Sequence, residues 1–196
     1  MASLVVERFQ APSGTRDARA LDSARKRIVT ALAGRTVWCA SAHNEGAAAA
    51  RRLRGYLAWA GGDGVGAAWC EVPDTGDAGN LVADVQPDDI VVLHDPLTAT
   101  PAEAIRARGA HVVWQVSAPR DRAPAVDAYV MAARTPEGGY LVAALMPRAG
   151  IIAAKEVGSD AYRDVGWSSL LADVVRSDRS ECVGGTLHAR PTVAPR

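Results

Sequence analysis

The stretch Asp89-Ile90-Val91-Val92-Leu93-His94-Asp95-Pro96 reads DIVVLHDP. Four consecutive apolar residues leave no polar face, the pattern of a strand buried on both sides, as in a parallel sheet. The run stops at a histidine, an aspartate and a proline, and proline cannot donate to a sheet ladder. Open α/β sheets bind their ligands beyond the carboxyl ends of the strands. The same eight residues therefore set the fold class and mark a place where chemistry could sit.

The flanking segments fit that reading. Upstream, residues 17–33 carry Leu21, Ile28, Val29 and Leu32 on one helical face with Arg25, Lys26 and Arg27 opposite, and Gly34 closes the helix. TVWCASA (36–42) is rich in strand formers. Asn44 is placed to cap a helix that begins near Gly46, uses Leu53, Tyr56, Leu57 and Ala60 as its apolar stripe, and ends at Gly61-Gly62. VGAAWCEV (65–72) is a second strand, followed by a polar loop containing glycine.

Downstream of DIVVLH, Pro101 opens a short helix that ends at Gly109, and AHVVWQVSA (110–118) is a fourth strand. A helical turn at Pro124–Val126 precedes a fifth strand, DAYVMAA (127–133), and GYLVAALMP (139–147) reads as a sixth. Strands alternating with helices at this spacing predict an α/β fold: a single Rossmann-like, doubly wound, mostly parallel sheet with right-handed crossovers. Residues 159–177 have Val165, Leu170, Leu171, Val174 and Val175 at near-helical spacing and predict a C-terminal helix. The expected organisation is an N-terminal extension (1–16), the α/β domain (17–158), and that helix with a proline- and glycine-bearing tail (159–196).

Composition narrows the function classes. The 196 residues include 22 basic and 22 acidic side chains, so the net charge is zero and no nucleic-acid partner is expected. No apolar run approaches the roughly 20 residues of a membrane helix, and MASLVVERFQAP does not read as a secretory signal. Cys39, Cys70 and Cys182 are odd in number and widely spaced. Reduced thiols and a cytoplasmic location are the expectation. The chain has no GxGxxG turn, no Walker A sequence, no GxSxG elbow and no metal-ligand spacing, so no cofactor is implied.

Four segments follow predicted strands: SAHNEG, HDPLTAT, SAPRDR and ARTPEGG. His43, Asn44, Glu45, His94, Asp95, Ser117 and Arg120 are thereby candidates for one polar cleft. His94 would be the acid/base, since histidine titrates near 6.5, and Asp95 would orient it or hold a ligand hydroxyl. Each has a plainer reading: Asp95 as a turn residue, Asn44 as a helix cap, Glu45 as a favourable charge on a helix dipole, Arg120 as a solvated side chain. Trp38 and Trp114 are expected in the core, and His111 at the surface.

The succession GRTVWCAS, PDDIVVLHDP and AHVVWQVS resembles the N-terminal domain of trehalose synthases and trehalose phosphorylases. These are retaining glycosyltransferases of the GT-B type. The likeness covers about residues 20–118, and HDP with its flanking strand carries it best. It extends to about 156 if ALMPRAGIIAAKEV corresponds to the family's link to its second domain. Cys39-Ala40-Ser41 stands where the family has His-Val-Asn, HNEGAAA replaces its glycine-rich turn, and Gln115, Val116 and Ser117 replace arginine, cysteine and histidine.

The resemblance implies a glycosyltransferase-like half without the second domain, and so half a catalytic cleft. Three functions are left open. The chain is a repurposed domain that binds a small polar, sugar-like or specialised-metabolite ligand at its strand ends, a non-catalytic subunit of a separate glycosyltransferase, or a decayed paralogue. The first allows a divergent glycosyltransferase-related enzyme. A lone sheet face would be unfavourable in water, so the C-terminal helix is expected to cover it, or a homodimer to form.

Overall fold

The structure is a computed structural model. It describes residues 15–42, 45–73, 78–94, 101–116, 126–134, 140–146, 150–157, 171–172 and 174–175. Its elements run α1 (Thr15–Leu32), β1 (Thr36–Ser41), α2 (Glu45–Gly61), a 3-10 turn (Gly62–Gly64), β2 (Gly66–Glu71), α3 (Gly79–Asp84), β3 (Ile90–Leu93), α4 (Ala102–Ala107), β4 (His111–Val116), β5 (Ala128–Arg134), β6 (Tyr140–Met146) and β7 (Gly150–Val157).

These form one seven-stranded sheet in the order β2-β1-β3-β4-β5-β6-β7. Every pairing from β2 to β5 is parallel, and β6 and β7 join antiparallel at one side. The chain moves one way from β1 to β2 and then returns past β1 to β3, β4 and β5. That reversal is the hallmark of a doubly wound sheet and puts a switch point between β1 and β3.

Period-2 alternation divides the core into two layers. On one face, Val37, Cys39, Ile90, Val92, Val113, Ala128 and Val130 pack against Ile28 and Leu32 of α1 and Leu53, Tyr56 and Leu57 of α2. On the other, Ala40, Val91, Leu93, Val112 and Trp114 pack against Leu81 of α3 and Ile105 of α4. Helices lie on both faces, as the winding requires. The first layer is closed by the helical residues Leu171, Ala172, Val174 and Val175, all buried there. The expected cover by a C-terminal helix is seen at these four positions.

Two features were not anticipated. The loop expected after β2 contains α3, whose one buried side chain is Leu81. The sixth strand expected at 139–147 is β6, but residues 150–157, which fall where the resemblance would put a link to a further domain, form a seventh strand, β7. The connections at 135–139 and 147–149 are too short for a parallel crossover, which needs a dozen or more residues, so these strands must run antiparallel. The helical turn expected at 124–126 falls on residues that, apart from Val126, lie outside those described.

The amino-terminal edge of the sheet is tied by aspartates. Asp89, 6% exposed, accepts hydrogen bonds from Thr36 N (3.0 Å), Trp38 Nε1 (3.0 Å) and Gln86 N (3.0 Å). Its neighbour Asp88 has φ 69, left-handed backbone that aspartate tolerates better than most residues. The Asp88 carbonyl accepts from the buried Arg35 Nη1 at 3.1 Å. Asp127 does similar service between β4 and β5, accepting from Val112 N (2.7 Å) and from Arg106 Nε (3.0 Å). Gly34, at φ 75, and Gly109, at φ 85, end α1 and α4 in a conformation that a side chain would strain.

Two stability predictions follow from these contacts. Asp89→Ala leaves three donors without their acceptor and costs about 3 kcal/mol in urea unfolding; a loss under about 1 kcal/mol contradicts the role given to this carboxylate. Leu171→Ala opens a cavity in the first layer and costs about 2–4 kcal/mol, whereas a change within about 0.5 kcal/mol, typical of a surface site, would mean that the helix does not pack there.

Candidate functional site

Because β1 to β5 are parallel, their carboxyl ends share one edge. The four segments that the sequence nominates leave β1, β3, β4 and β5 at that edge. Of the seven candidate residues, His94 is described in full. Glu45 is the first residue of α2 and follows β1 directly at this edge. His43, Asn44, Asp95, Ser117 and Arg120 lie outside the described residues.

His94 extends β3 by one residue: its N–H donates to Ala40 O at 2.9 Å, so the β1–β3 ladder continues to the switch point. The parallel register pairs Leu93 with Trp114, which places His94 across from Gln115. Their side chains meet, with His94 Nδ1 2.6 Å from Gln115 Oε1. The imidazole is 8% exposed and its Nε2 is buried.

The neighbouring strand adds a second polar contact on the same face. Ser41, at the end of β1, is fully buried, and its Oγ accepts from Trp69 Nε1 of β2 at 3.1 Å. The guanidinium of Arg51, on α2, lies over the Trp69 ring at 5.6 Å from its centroid. Alternation from Cys39 to Ser41 and from Val92 to His94 puts Ser41 and His94 on the face covered by α1 and α2. A row of hydrogen-bonding side chains, Trp69, Ser41, His94 and Gln115, thus crosses four adjacent strands toward the carboxyl edge of an otherwise apolar layer.

This row is uncharged apart from what His94 can take up. It can accept and donate hydrogen bonds, and His94 can move a proton. Ser41, Trp69 and Gln115 were not selected from the sequence as site residues. Ser41 and Gln115 were visible only as departures from the glycosyltransferase pattern; the missing signal was the register that sets Gln115 opposite His94.

On the opposite face, Trp38 is half-buried and Trp114 buried, as expected, and Trp114 meets Tyr129 at a centroid distance of 6.0 Å. Burial pushes the Tyr129 hydroxyl up from its ordinary pKa. His111 is half-buried, with Nε2 3.9 Å from Asp88 Oδ1, rather than a plain surface residue. Cys39, which is buried, and Cys70, which is half-buried, are not joined in a disulfide. Among the described residues no three His, Cys, Asp or Glu side chains gather as a metal site, and no helix is long and apolar enough to cross a membrane.

No family model, curated protein or solved structure matches this chain.

Burial, reinforced by Asp84 and Glu71, pushes the Cys70 thiol above its ordinary pKa. The fold therefore favours the protonated thiol, and this contribution to stability is full below the ordinary thiol range and is lost as pH rises through the elevated value. Cys70 should alkylate with iodoacetamide more slowly in the native protein than in urea at about pH 8.5, the ordinary thiol pKa. Equal rates would contradict the shielding.

Proposed function

We propose that this domain binds a small, neutral, hydroxyl-rich molecule, a sugar or sugar-like metabolite, at the carboxyl ends of β1 and β3. His94 is its acid/base group. The observation that carries the reading is a buried histidine at the topological switch point, fixed by a side chain of the next strand. Three things support the ligand class. The row from Trp69 to Gln115 offers neutral donors and acceptors of the kind that read hydroxyl groups, the edge lies where doubly wound sheets take ligands, and DIVVLHDP resembles the sugar-handling GT-B domain.

His94 accepts the hydrogen bond of a ligand hydroxyl and can act on it as a base. Its Nε2 is buried, so a ligand that reaches it is held away from bulk water.

Thermal-shift screening with free sugars, sugar phosphates and nucleotide sugars tests the proposal. A ligand at a hundredfold excess over its dissociation constant stabilises by about 2.7 kcal/mol. For a chain of this size that corresponds to a Tm increase of about 5–10 °C. Free sugars should give such a shift in the wild type and none in His94→Ala. An undiminished shift in that variant would remove the site, and a response confined to sugar phosphates or nucleotide sugars would remove the neutral ligand class.

A further inference from the structure

The geometry points to Gln115 as the positioning residue of this edge: it holds His94 as the Nδ1–H tautomer and makes Nε2 the basic nitrogen. This inference rests on the reading of His94 as the working group.

A neutral imidazole carries one N–H, and either ring nitrogen can hold it. In water the Nε2–H form predominates, so a site that needs Nε2 as its base must impose the other. Gln115 presents an oxygen, Oε1, to Nδ1 at 2.6 Å. An amide oxygen has only lone pairs to offer, so the proton between these atoms belongs to Nδ1. The lone pair of the ring then lies on Nε2. The partner of one ring nitrogen sets the role of the other, as in sites where a carboxylate or an amide orients a catalytic histidine.

The backbone makes the pair durable. His94 is tied to β1 through Ala40 O, and Gln115 lies within β4 beside Trp114, which is 3% exposed. The parallel register sets the two residues opposite each other. The choice of an amide also has a chemical consequence. A carboxylate would hold a permanent negative charge against the ring and favour the imidazolium, whereas glutamine orients the ring without that charge. The Nε2 lone pair is thus offered beside an uncharged partner, which suits a hydroxyl donor rather than an anion. This deepens the ligand class proposed above.

The test uses the intact chain labelled with 15N-histidine and long-range 1H–15N correlation at about pH 8, where an unperturbed imidazole is neutral. The four histidines are His43, His94, His111 and His188, and His94 is assigned by loss of its signals in His94→Ala. The wild type should show a protonated Nδ1 and an unprotonated Nε2 at His94. Gln115→Met, close in shape but without the oxygen, should shift His94 to a tautomer mixture or to Nε2–H. Gln115→Glu, which restores an acceptor, should restore the proton on Nδ1, and its charge should let Nε2 take up a proton at higher pH than in the wild type.

A wild-type His94 protonated on Nε2 overturns the inference, as does an unchanged pattern in Gln115→Met. If Gln115→Met fails to fold, the wild-type pattern alone decides. An Nδ1–H pattern together with undiminished ligand binding by His94→Ala would remove the functional reading and leave the tautomer assignment intact. The reverse result would remove this inference and spare the ligand site.

Discussion

Three hydrogen-bond donors converge on one carboxylate at the amino-terminal edge of this sheet. Asp89 takes the backbone N–H of Thr36, the indole N–H of Trp38 and the backbone N–H of Gln86. The first two belong to β1, while Asp89 itself leads into β3. One side chain therefore joins the two strands between which the winding reverses. A buried carboxylate is costly unless its lone pairs are used, and here at least three are. The left-handed turn at Asp88 and its contact with Arg35 deliver Asp89 to that position.

Asp89 and Asp127 fasten the amino-terminal side, and their donors come from strand starts and from neighbouring helices and turns. At the carboxyl side, the polar side chains are engaged with one another instead: Trp69 with Ser41, and His94 with Gln115. These pairs join neighbouring strands. Parallel strands hold these groups in register.

Much of this was legible in the sequence because the dominant signals are local. The apolar run of DIVVLH, the strand formers of TVWCAS and the alanine-lined stripe of α2 each announce their element through periodicity or burial. The short helix α3 was hidden, since six residues with one buried leucine leave almost no period to read. β7 was hidden for a different reason: GIIAAKEV is apolar enough for a strand, but its role depends on the short connection that forces it back beside β6. The site divides in the same way. His94 was nominated from its position after a buried strand. Gln115 and Ser41 were not, because their partners are defined by strand order and register, which no local pattern encodes.

The central claim is that a ligand occupies the edge between β1 and β3. Amide chemical-shift mapping with the sugar that raises Tm most tests it directly. The shifts should concentrate at Ser41, Ala42, His94 and Gln115, with the α1–α2 surface around Trp59 unmoved. Shifts confined to that surface, or an edge that stays silent at saturating sugar, would contradict the account.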